Sequence, residues 1–387
     1  MEGLTTKAGR PQHFLANVQA LRAVAALLVV LVHASLPDVG VESILRPDDR
    51  PWLSPFHYIG LFGVDLFFVI SGFIMLVTNW DNIGKPFAGA RFFVRRVIRI
   101  YPPYWLAVMP VLLVLLFAKE RFMVSHVAVK TGFIESLLLL PNPNKFILTV
   151  GWTLVWEMSF YVVFGLLLQL QRKYIVGALA AWMAAQVILY CTLTGAPNFY
   201  LNFASTPLPM EFIAGTAIGL LYVKRAFPAP RTAAAIAAVV AGTTWIVINH
   251  FAILLESAND INRVLAFGIP AALLVYGGVG LEVRGIFVAP RFLQAVGDGS
   301  YAIYLWHLSI LVALRQIIVR LHPGGPIAHT AVLVVTLGCI IAFGMAVYRF
   351  FEKPVTDYLN AKLARGFPLP SLDAAIVSRS LSKSAAE

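Results

Sequence analysis

Apolar runs of about twenty residues recur along almost the whole chain, and this feature restricts the possible folds more than any other. A helix needs about twenty predominantly apolar residues to cross the hydrocarbon core of a bilayer. The runs that meet this requirement are residues 17–36, 58–78, 102–118, 151–170, 174–194, 208–224, 231–251, 262–280, 301–320 and 328–350. We therefore predict an all-α fold, a polytopic integral membrane protein with about ten transmembrane helices.

The composition agrees with this prediction and leaves no room for a large soluble domain. Only 13% of the 387 residues are charged, which is about half the fraction usual in soluble domains. The net charge of +11 comes from short basic clusters between apolar runs, a distribution that favours contact with membrane lipids over binding of nucleic acid. Cys191 and Cys339 lie within apolar runs, so we expect buried cysteines without a disulfide bond. No motif predicts a metal site.

The positions of lysine and arginine predict the orientation of the chain. The basic clusters at 91–99, 172–173 and 224–231 lie on the cytoplasmic side if the N-terminus is cytoplasmic, as the positive-inside rule requires. An even number of spans then returns the C-terminus to the cytoplasm. We predict a cytoplasmic segment 1–13, a membrane domain 14–357 and a cytoplasmic, disordered tail 358–387. Residues 119–150 are expected to form a long external loop with an interfacial or re-entrant piece.

The first apolar run carries two ionisable residues, Arg22 and His33, in "LRAVAALLVVLVHASLP". Ionisable groups are costly inside a bilayer and usually mark function there. Eleven residues of helix turn through about 1,100° and rise about 16 Å, so both side chains lie on one helix face, with His33 nearer the outside. A snorkelling arginine and a histidine hydrogen-bonded at the interface would explain the same pattern.

Two acidic residues are predicted at a depth similar to that of His33. Asp65 in "GVDLFFVISGF" and Glu157 in "GWTLVWEMSFY" each lie about two turns inside a span, counted from its outer end. A carboxylate among apolar neighbours needs a partner or a proton. We therefore predict one layer in which Asp65 or Glu157 orients His33 for general acid–base chemistry.

Further polar residues mark the cytoplasmic half. Arg96 and Arg99 share one helix face at the membrane surface, and paired guanidinium groups suit a phosphorylated ligand; an anchor for anionic lipid would leave the same pattern. Ser300, Tyr304 and His307 form one stripe of "GDGSYAIYLWHLSI", which favours a cavity-facing strip over simple packing.

Two other polar positions carry less weight. Glu211, in "PLPMEFIAGT", begins a span near the outer surface and is less diagnostic. Glu352 and Lys353 end the last span and are expected to act as an interface anchor with a proline stop.

Six stretches of the sequence, in this order, resemble the acyltransferase-3 family of integral membrane acyltransferases. They are "LRAVAALLVVLVHA", "GVDLFFVISGF", "RRVIRIYPPYW", "WTLVWEMSFY", "GDGSYAIYLWH" and "YRFFEKP", and they extend from about residue 14 to 357. Among the family members, the sequence of these stretches looks closest to the bacterial exopolysaccharide O-acetyltransferases. The resemblance implies about ten membrane helices and transfer of an acyl group, commonly acetyl from acetyl-CoA, to a sugar hydroxyl.

The resemblance also assigns residues. The family's Arg-x10-His pattern falls on Arg22 and His33, its cytoplasmic Arg-x-x-Arg pattern on Arg96 and Arg99, and its glutamate after a tryptophan on Glu157. The sequence departs from the family where a second acid often follows, since Met158 stands there. Acetyl-CoA would be a co-substrate and not a tightly bound cofactor, a lipid-linked or polymeric saccharide would be the acceptor, and the protein would lie in the bacterial cytoplasmic membrane.

These assignments give a mechanism with two alternatives. His33 would act as general base on the sugar hydroxyl, His307 and Tyr304 would line the thioester channel or stabilise the oxyanion, and the arginines would hold the CoA phosphates. A covalent acyl-histidine relay is a variant of the same scheme. A proton-coupled transporter of a saccharide or acyl species would use the same buried acids and histidines. A non-catalytic partner in a polysaccharide assembly is the other alternative.

Overall fold

A computed structural model describes residues 15–35, 60–117, 132–144, 146–251, 261–321 and 326–366 of the chain. Within these ranges the secondary structure is helical and contains no β-strand. The helices are α1 Ala16–Ser35, α2 Phe62–Asn79, α3 Ala88–Phe117, α4 Phe133–Leu138, α5 Gly151–Leu167, α6 Ile175–Leu193, α7 Phe199–Ala204, α8 Pro209–Val223, α9 Pro230–Phe251, α10 Ile261–Val283, α11 Arg291–Asp298, α12 Ser300–Leu321, α13 Pro326–Val347 and α14 Lys353–Gly366. The all-α prediction is confirmed.

The predicted membrane spans correspond to apolar helices. In the described part of the chain, 8 helical stretches are long and apolar enough to cross a bilayer, and they contain α1, α2, α3, α6, α8, α10, α12 and α13. Two shorter apolar helical stretches, Gly151–Leu167 and Pro230–Val240, fall on the remaining predicted windows. The chain is therefore a polytopic integral membrane protein.

Two π-helical turns interrupt these helices, and each adjoins a buried charged residue. Val264–Gly268 lies inside α10 and follows Arg263, while Tyr348–Glu352 joins α13 to α14 and ends at Glu352. Both Arg263 and Glu352 are buried. Such turns are frequent at functional sites, because they change the direction of the side chains beside them.

Three predictions concern the two ends of the chain and its two cysteines. The segment 1–13 lies outside the described residues, as does the tail from 367 onward, whereas the boundary predicted at 357 falls inside α14. The prediction that Cys191 and Cys339 are buried is wrong, since both free thiols are exposed on their helices. The surface of a membrane protein faces lipid, so an apolar run does not distinguish lipid contact from protein contact.

Part of the predicted loop 119–150 packs against the membrane helices. Its described residues include the short helix α4, and Tyr101, Tyr104 and Trp105 of α3 donate hydrogen bonds of 2.7–2.9 Å to the carbonyl oxygens of residues 136–138. These carbonyl groups lie in the last turn of α4, where a helix leaves carbonyl oxygens available to partners outside it. The aromatic side chains therefore hold this piece against α3.

Helices α2 and α8 pack closely through glycine. A Cβ atom on Gly215 would lie 1.9 Å from the carbonyl oxygen of Val69, and one on Gly72 would lie 2.0 Å from that of Phe212. Small residues of this kind allow two membrane helices to approach until their backbones touch. This contact fixes the depth of α2, the helix that carries Asp65, relative to α8.

We predict that Gly215→Ala destabilises the protein by about 1–3 kcal/mol, because the added methyl group must push α2 away from α8. Gly177→Ala is the matched control, since no atom lies within 4 Å of the corresponding position on α6 and alanine favours helix. Thermal unfolding in detergent measures both variants. Equal melting temperatures for the two variants would contradict the packing argument.

Candidate active site

A cavity opens between α1, α2, α3, α5 and α12. It encloses about 770 Å³ of atom-free space, part of which is open to the surface. Its polar lining consists of Arg22, Ser71, Arg96, Arg99, Thr153, Glu157, Tyr161, Ser300, Tyr301 and Tyr304. All the residues predicted to bind an acyl donor, and Glu157 besides, thus face one space.

The cavity is elongated along the membrane helices. On α2 its lining extends from Val64 to Met75, a rise of about 16 Å. On α5 it extends from Thr153 to Tyr161, about 12 Å. Arg96 lies beside Tyr161, whereas Tyr304 lies beside Thr153. We call the end beside Arg96 the arginine end and the end beside Thr153 and Tyr304 the hydroxyl end.

The arginine end carries three guanidinium groups without a carboxylate partner. Arg22 is 6% exposed and donates a 2.8 Å hydrogen bond to Gln19, and the guanidinium carbon of Arg96 lies 5.4 Å from the ring centroid of Phe92. Among the described residues, no carboxylate oxygen lies within 4.0 Å of a nitrogen of Arg22, Arg96 or Arg99. Positive charge therefore accumulates at this end.

Ser300 adds an uncharged donor to the same end. Its side chain is fully buried, and its hydroxyl oxygen has no hydrogen-bond partner in the described part of the chain. A buried hydroxyl normally has a partner. Since Ser300 lines the cavity, a bound ligand is the natural partner for it.

Three carboxylates lie near the arginine end, beyond ion-pair distance, and one of them, Glu157, acts on Arg22 and Arg96 through its charge. Glu352 acts on Arg22 and Arg99 through its charge, and Asp298 acts on Arg22. Partial burial raises the pKa of the Asp298 carboxyl above its ordinary value, while Arg22 and Lys353 oppose that shift. These groups offset part of the positive charge without occupying the guanidinium groups.

The prediction made for Glu352 is wrong. Glu352 was expected to form an interface anchor together with Lys353, but its side chain is 5% exposed and lies inside the protein. Lys353 is exposed and pairs with Asp357 at 2.9 Å, so the anchor prediction describes Lys353 alone. The π-helical geometry of Tyr348–Glu352 directs the glutamate inward. No sequence pattern predicts this geometry.

Glu157 lies on the cavity wall between the two ends. One of its oxygens accepts a 2.8 Å hydrogen bond from the Ser71 hydroxyl and another from the Tyr161 hydroxyl. Ser71 lies six residues further along α2 than Asp65, which is about 9 Å. Glu157 is therefore deeper in the membrane domain than Asp65.

Asp65 has a partner that the sequence reading missed. Arg263 donates to both of its carboxylate oxygens at 3.1 and 2.9 Å, and both side chains are fully buried. Glu211 lies beside this pair, is 1% exposed, and its carboxyl group interacts with that of Asp65. Arg263 could have been found from the sequence, because it is a basic residue at the start of an apolar run. A buried Asp65 requires a positive charge of this kind beside it.

His33 and His307 form a pair. Nε2 of His307 lies 3.3 Å from Nδ1 of His33. Nδ1 of His307 lies 2.7 Å from the Tyr304 carbonyl oxygen, and Nδ1 of His33 lies 2.8 Å from that of Val29. The carbonyl oxygens assign a proton to each Nδ1, so the lone pair of neutral His33 is on Nε2.

The predicted layer of His33, Asp65 and Glu157 is therefore not formed. Asp65 is bound by Arg263, Glu157 is bound by hydroxyl groups, and the ring beside His33 is His307. The cause is depth: positions counted from the ends of apolar windows ignore how far each helix slides against its neighbours.

The histidine pair borders the cavity without lining it. The ring of Tyr304 lines the cavity, and its centroid lies 5.9 Å from that of His307. The histidine pair therefore adjoins the hydroxyl end, with His307 beside the Tyr304 ring. In the described residues, no group of three His, Cys, Asp or Glu side chains is arranged to hold a metal ion.

Comparison with known proteins gives one family. The sequence pattern of the family described as "Acyltransferase domain" (acyltransferase-3) matches residues 15–348. The exopolysaccharide production protein ExoZ of Rhizobium meliloti is 31% identical over 300 residues, which cover 77% of this chain and 90% of that protein. The acyltransferase MdmB of Streptomyces mycarofaciens is 28% identical over 326 residues, 77% of this chain and 79% of that protein.

A more distant relative is longer than this chain. The peptidoglycan O-acetyltransferase OatA of Listeria monocytogenes is 23% identical over 398 aligned positions, which cover 92% of this chain and 58% of OatA. No solved structure matches the chain.

We predict that Arg263→Leu destabilises the protein by about 3–5 kcal/mol, because it leaves the buried Asp65 beside Glu211 without a cation, and that Asp65→Leu costs less, because Glu211 remains beside Arg263. The double variant removes both charges and should recover most of the loss. Thermal unfolding of the three purified variants in detergent measures this. A well-folded but inactive Asp65→Leu protein would instead give Asp65 a part in the chemistry.

Proposed function

The chain belongs to the acyltransferase-3 family of integral membrane acyltransferases, and from that membership we propose that it transfers an acetyl group from acetyl-CoA to a hydroxyl of a cell-surface saccharide. The reaction class is O-acyl transfer within a membrane. Relatives named for exopolysaccharide production and for peptidoglycan O-acetylation support a saccharide acceptor.

The unpaired guanidinium groups of the arginine end carry the proposal. Coenzyme A bears phosphate groups, and a guanidinium group binds phosphate through two parallel hydrogen bonds. Arg22, Arg96 and Arg99 face one cavity, and no carboxylate among the described residues lies within 4.0 Å of them. A lipid anchor would need basic groups at the surface, whereas Arg22 is buried.

The length of the cavity supports the same donor. The pantetheine arm of coenzyme A is comparable to the rise of about 16 Å along α2 from Val64 to Met75. With phosphates at the arginine end, the thioester would reach the hydroxyl end. There the Tyr304 ring would line the channel for the thioester, because its hydroxyl is already bonded to Thr153 and the Val150 carbonyl oxygen.

The transfer requires a general base that takes the proton of the acceptor hydroxyl and passes it to the leaving group. The acceptor oxygen attacks the thioester carbonyl carbon, the new C–O ester bond forms, and the C–S bond breaks. His33 would take the hydroxyl proton on Nε2 and return it to the sulfur of the departing CoA. The Val29 carbonyl oxygen, 2.8 Å from Nδ1 of His33, would hold that tautomer, and Nε2 of His307 lies 3.3 Å from the same nitrogen.

The orientation follows from where the donor is found. Acyl-CoA is cytoplasmic, so the arginine end would face the cytoplasm of a bacterium and both chain termini would be cytoplasmic, as the basic clusters predict. The acceptor, lipid-linked or polymeric, would approach His33 from the opposite side of the cytoplasmic membrane.

The transporter alternative has less support. A proton-coupled transporter would use Asp65 as a proton carrier, but this carboxylate is bound on both oxygens by Arg263. The transporter alternative also gives no role to Arg22, Arg96 and Arg99, which have no carboxylate within 4.0 Å among the described residues.

We predict that Arg96→Ala and Arg99→Ala each weaken binding of acetyl-CoA about 10- to 100-fold, the effect of losing a hydrogen bond between charged groups. Binding of radiolabelled acetyl-CoA to the purified protein measures this. Arg95→Ala is the matched control, because Arg95 lies on the same helix, is exposed and does not line the cavity. An equal loss in Arg95→Ala would reduce the effect to general surface charge.

We predict that His33→Ala lowers the transfer rate about 10²- to 10⁴-fold, the usual contribution of a general base, with unchanged affinity for acetyl-CoA. The assay is thiol release from acetyl-CoA, with polysaccharide from a strain that lacks the gene as acceptor. A folded His33→Ala protein that transfers at the wild-type rate would exclude His33 as the base.

A further inference from the structure

The hydroxyl end of the cavity has a wall whose position restricts what can fit there. We infer that Phe67, backed by the Thr153–Tyr304 pair, is the specificity-determining residue that limits the enzyme to short, uncharged acyl groups. The inference rests on the proposed function, because it assumes that the acyl end of the donor occupies the hydroxyl end.

Hydrogen bonds fix the far wall of this end. The hydroxyl oxygens of Thr153 and Tyr304 lie 2.5 Å apart, and both lie within hydrogen-bond distance of the Val150 carbonyl oxygen, at 2.9 and 3.1 Å. Thr153 and Tyr304 are 5% and 6% exposed. The tyrosine ring is therefore held in place and cannot swing aside for a long chain without breaking these bonds.

Phe67 narrows the same end from α2, about one helical turn before the lining ends at Val64. Its ring centroid lies 6.0 Å from that of Tyr304 in an edge-to-face arrangement, and its side chain lines the cavity. Phe67 also packs against all three apolar clusters that the described helices form. The ring is therefore packed on several sides, and that packing favours the position in which it limits the space for the acyl group.

The remaining lining favours an uncharged acyl group. Val64, Phe68 and Leu154 complete the hydroxyl end, and none of them can pair with a terminal carboxylate. The guanidinium group of Arg263 is bound by both oxygens of Asp65 and does not line the cavity. One helical turn beyond Thr153 the wall carries Glu157, which repels an acidic acyl chain such as succinyl.

The test compares acyl-CoA thioesters by competition against radiolabelled acetyl-CoA on the purified full-length protein in detergent. The competitors are CoA, acetyl-CoA, butyryl-CoA, hexanoyl-CoA and succinyl-CoA. A well-fitted apolar pocket discriminates about tenfold or more per surplus methylene group. Wild type should therefore bind butyryl-CoA, which has two surplus methylene groups, at least about 100-fold more weakly than acetyl-CoA, and succinyl-CoA at least about tenfold more weakly.

Phe67→Leu and Phe67→Val should progressively remove the discrimination against butyryl-CoA and leave the affinity for CoA itself unchanged. Discrimination against succinyl-CoA should persist, because Glu157 remains. Phe73→Leu is the matched control: Phe73 lies on the same helix and is buried against Tyr222, but it does not line the cavity. It incurs a similar packing loss and should keep the wild-type preference.

The outcomes separate this inference from the proposed function. Wild type that binds butyryl-CoA as tightly as acetyl-CoA would overturn the length limit, as would Phe67→Leu and Phe73→Leu variants with the same preference. Wild-type binding of succinyl-CoA equal to that of acetyl-CoA would overturn the charge argument. Failure of CoA itself to bind would reject the donor assignment, and with it the premise of the inference.

Discussion

An ionised side chain inside a bilayer costs several kcal/mol unless an opposite charge or a ligand compensates it, and the membrane domain is organised around that constraint. Asp65 and Arg263 compensate each other completely, with both side chains at zero exposure. Among the described residues, no carboxylate lies within 4.0 Å of Arg22, Arg96 or Arg99, and all three face a cavity. The first arrangement joins α2 to α10, and the second leaves positive charge available for an anionic ligand.

Helix α2 connects the two arrangements. Its N-terminal part carries Asp65, its middle carries Phe67 and Ser71, and its glycine contact with α8 fixes its depth. Because a helix is rigid, a shift of α2 that improved one contact would disturb the others. The ion pair, the hydroxyl end and the hydrogen bond to Glu157 therefore depend on a single helix position.

Hydropathy and helical periodicity predicted much of this molecule. The apolar windows fell on the apolar helices, and the stripe of Ser300 and Tyr304 faces the cavity together with Arg22. Periodicity succeeds here because it is a property of one helix. It failed for Glu157, whose partner Ser71 is 86 residues away, and for Asp65, whose partner Arg263 is 198 residues away.

The sequence by itself determined that the chain is helical, that it spans a membrane and which ionisable residues need compensation. These follow from the cost of exposing peptide groups and charges to hydrocarbon. Only the tertiary structure decided which charges pair, that His33 meets His307, and that Cys191 faces outward. Lipid and protein interior are equally apolar, so hydropathy cannot set the faces and depths at which helices meet; close packing between small residues and hydrogen bonds between helices do.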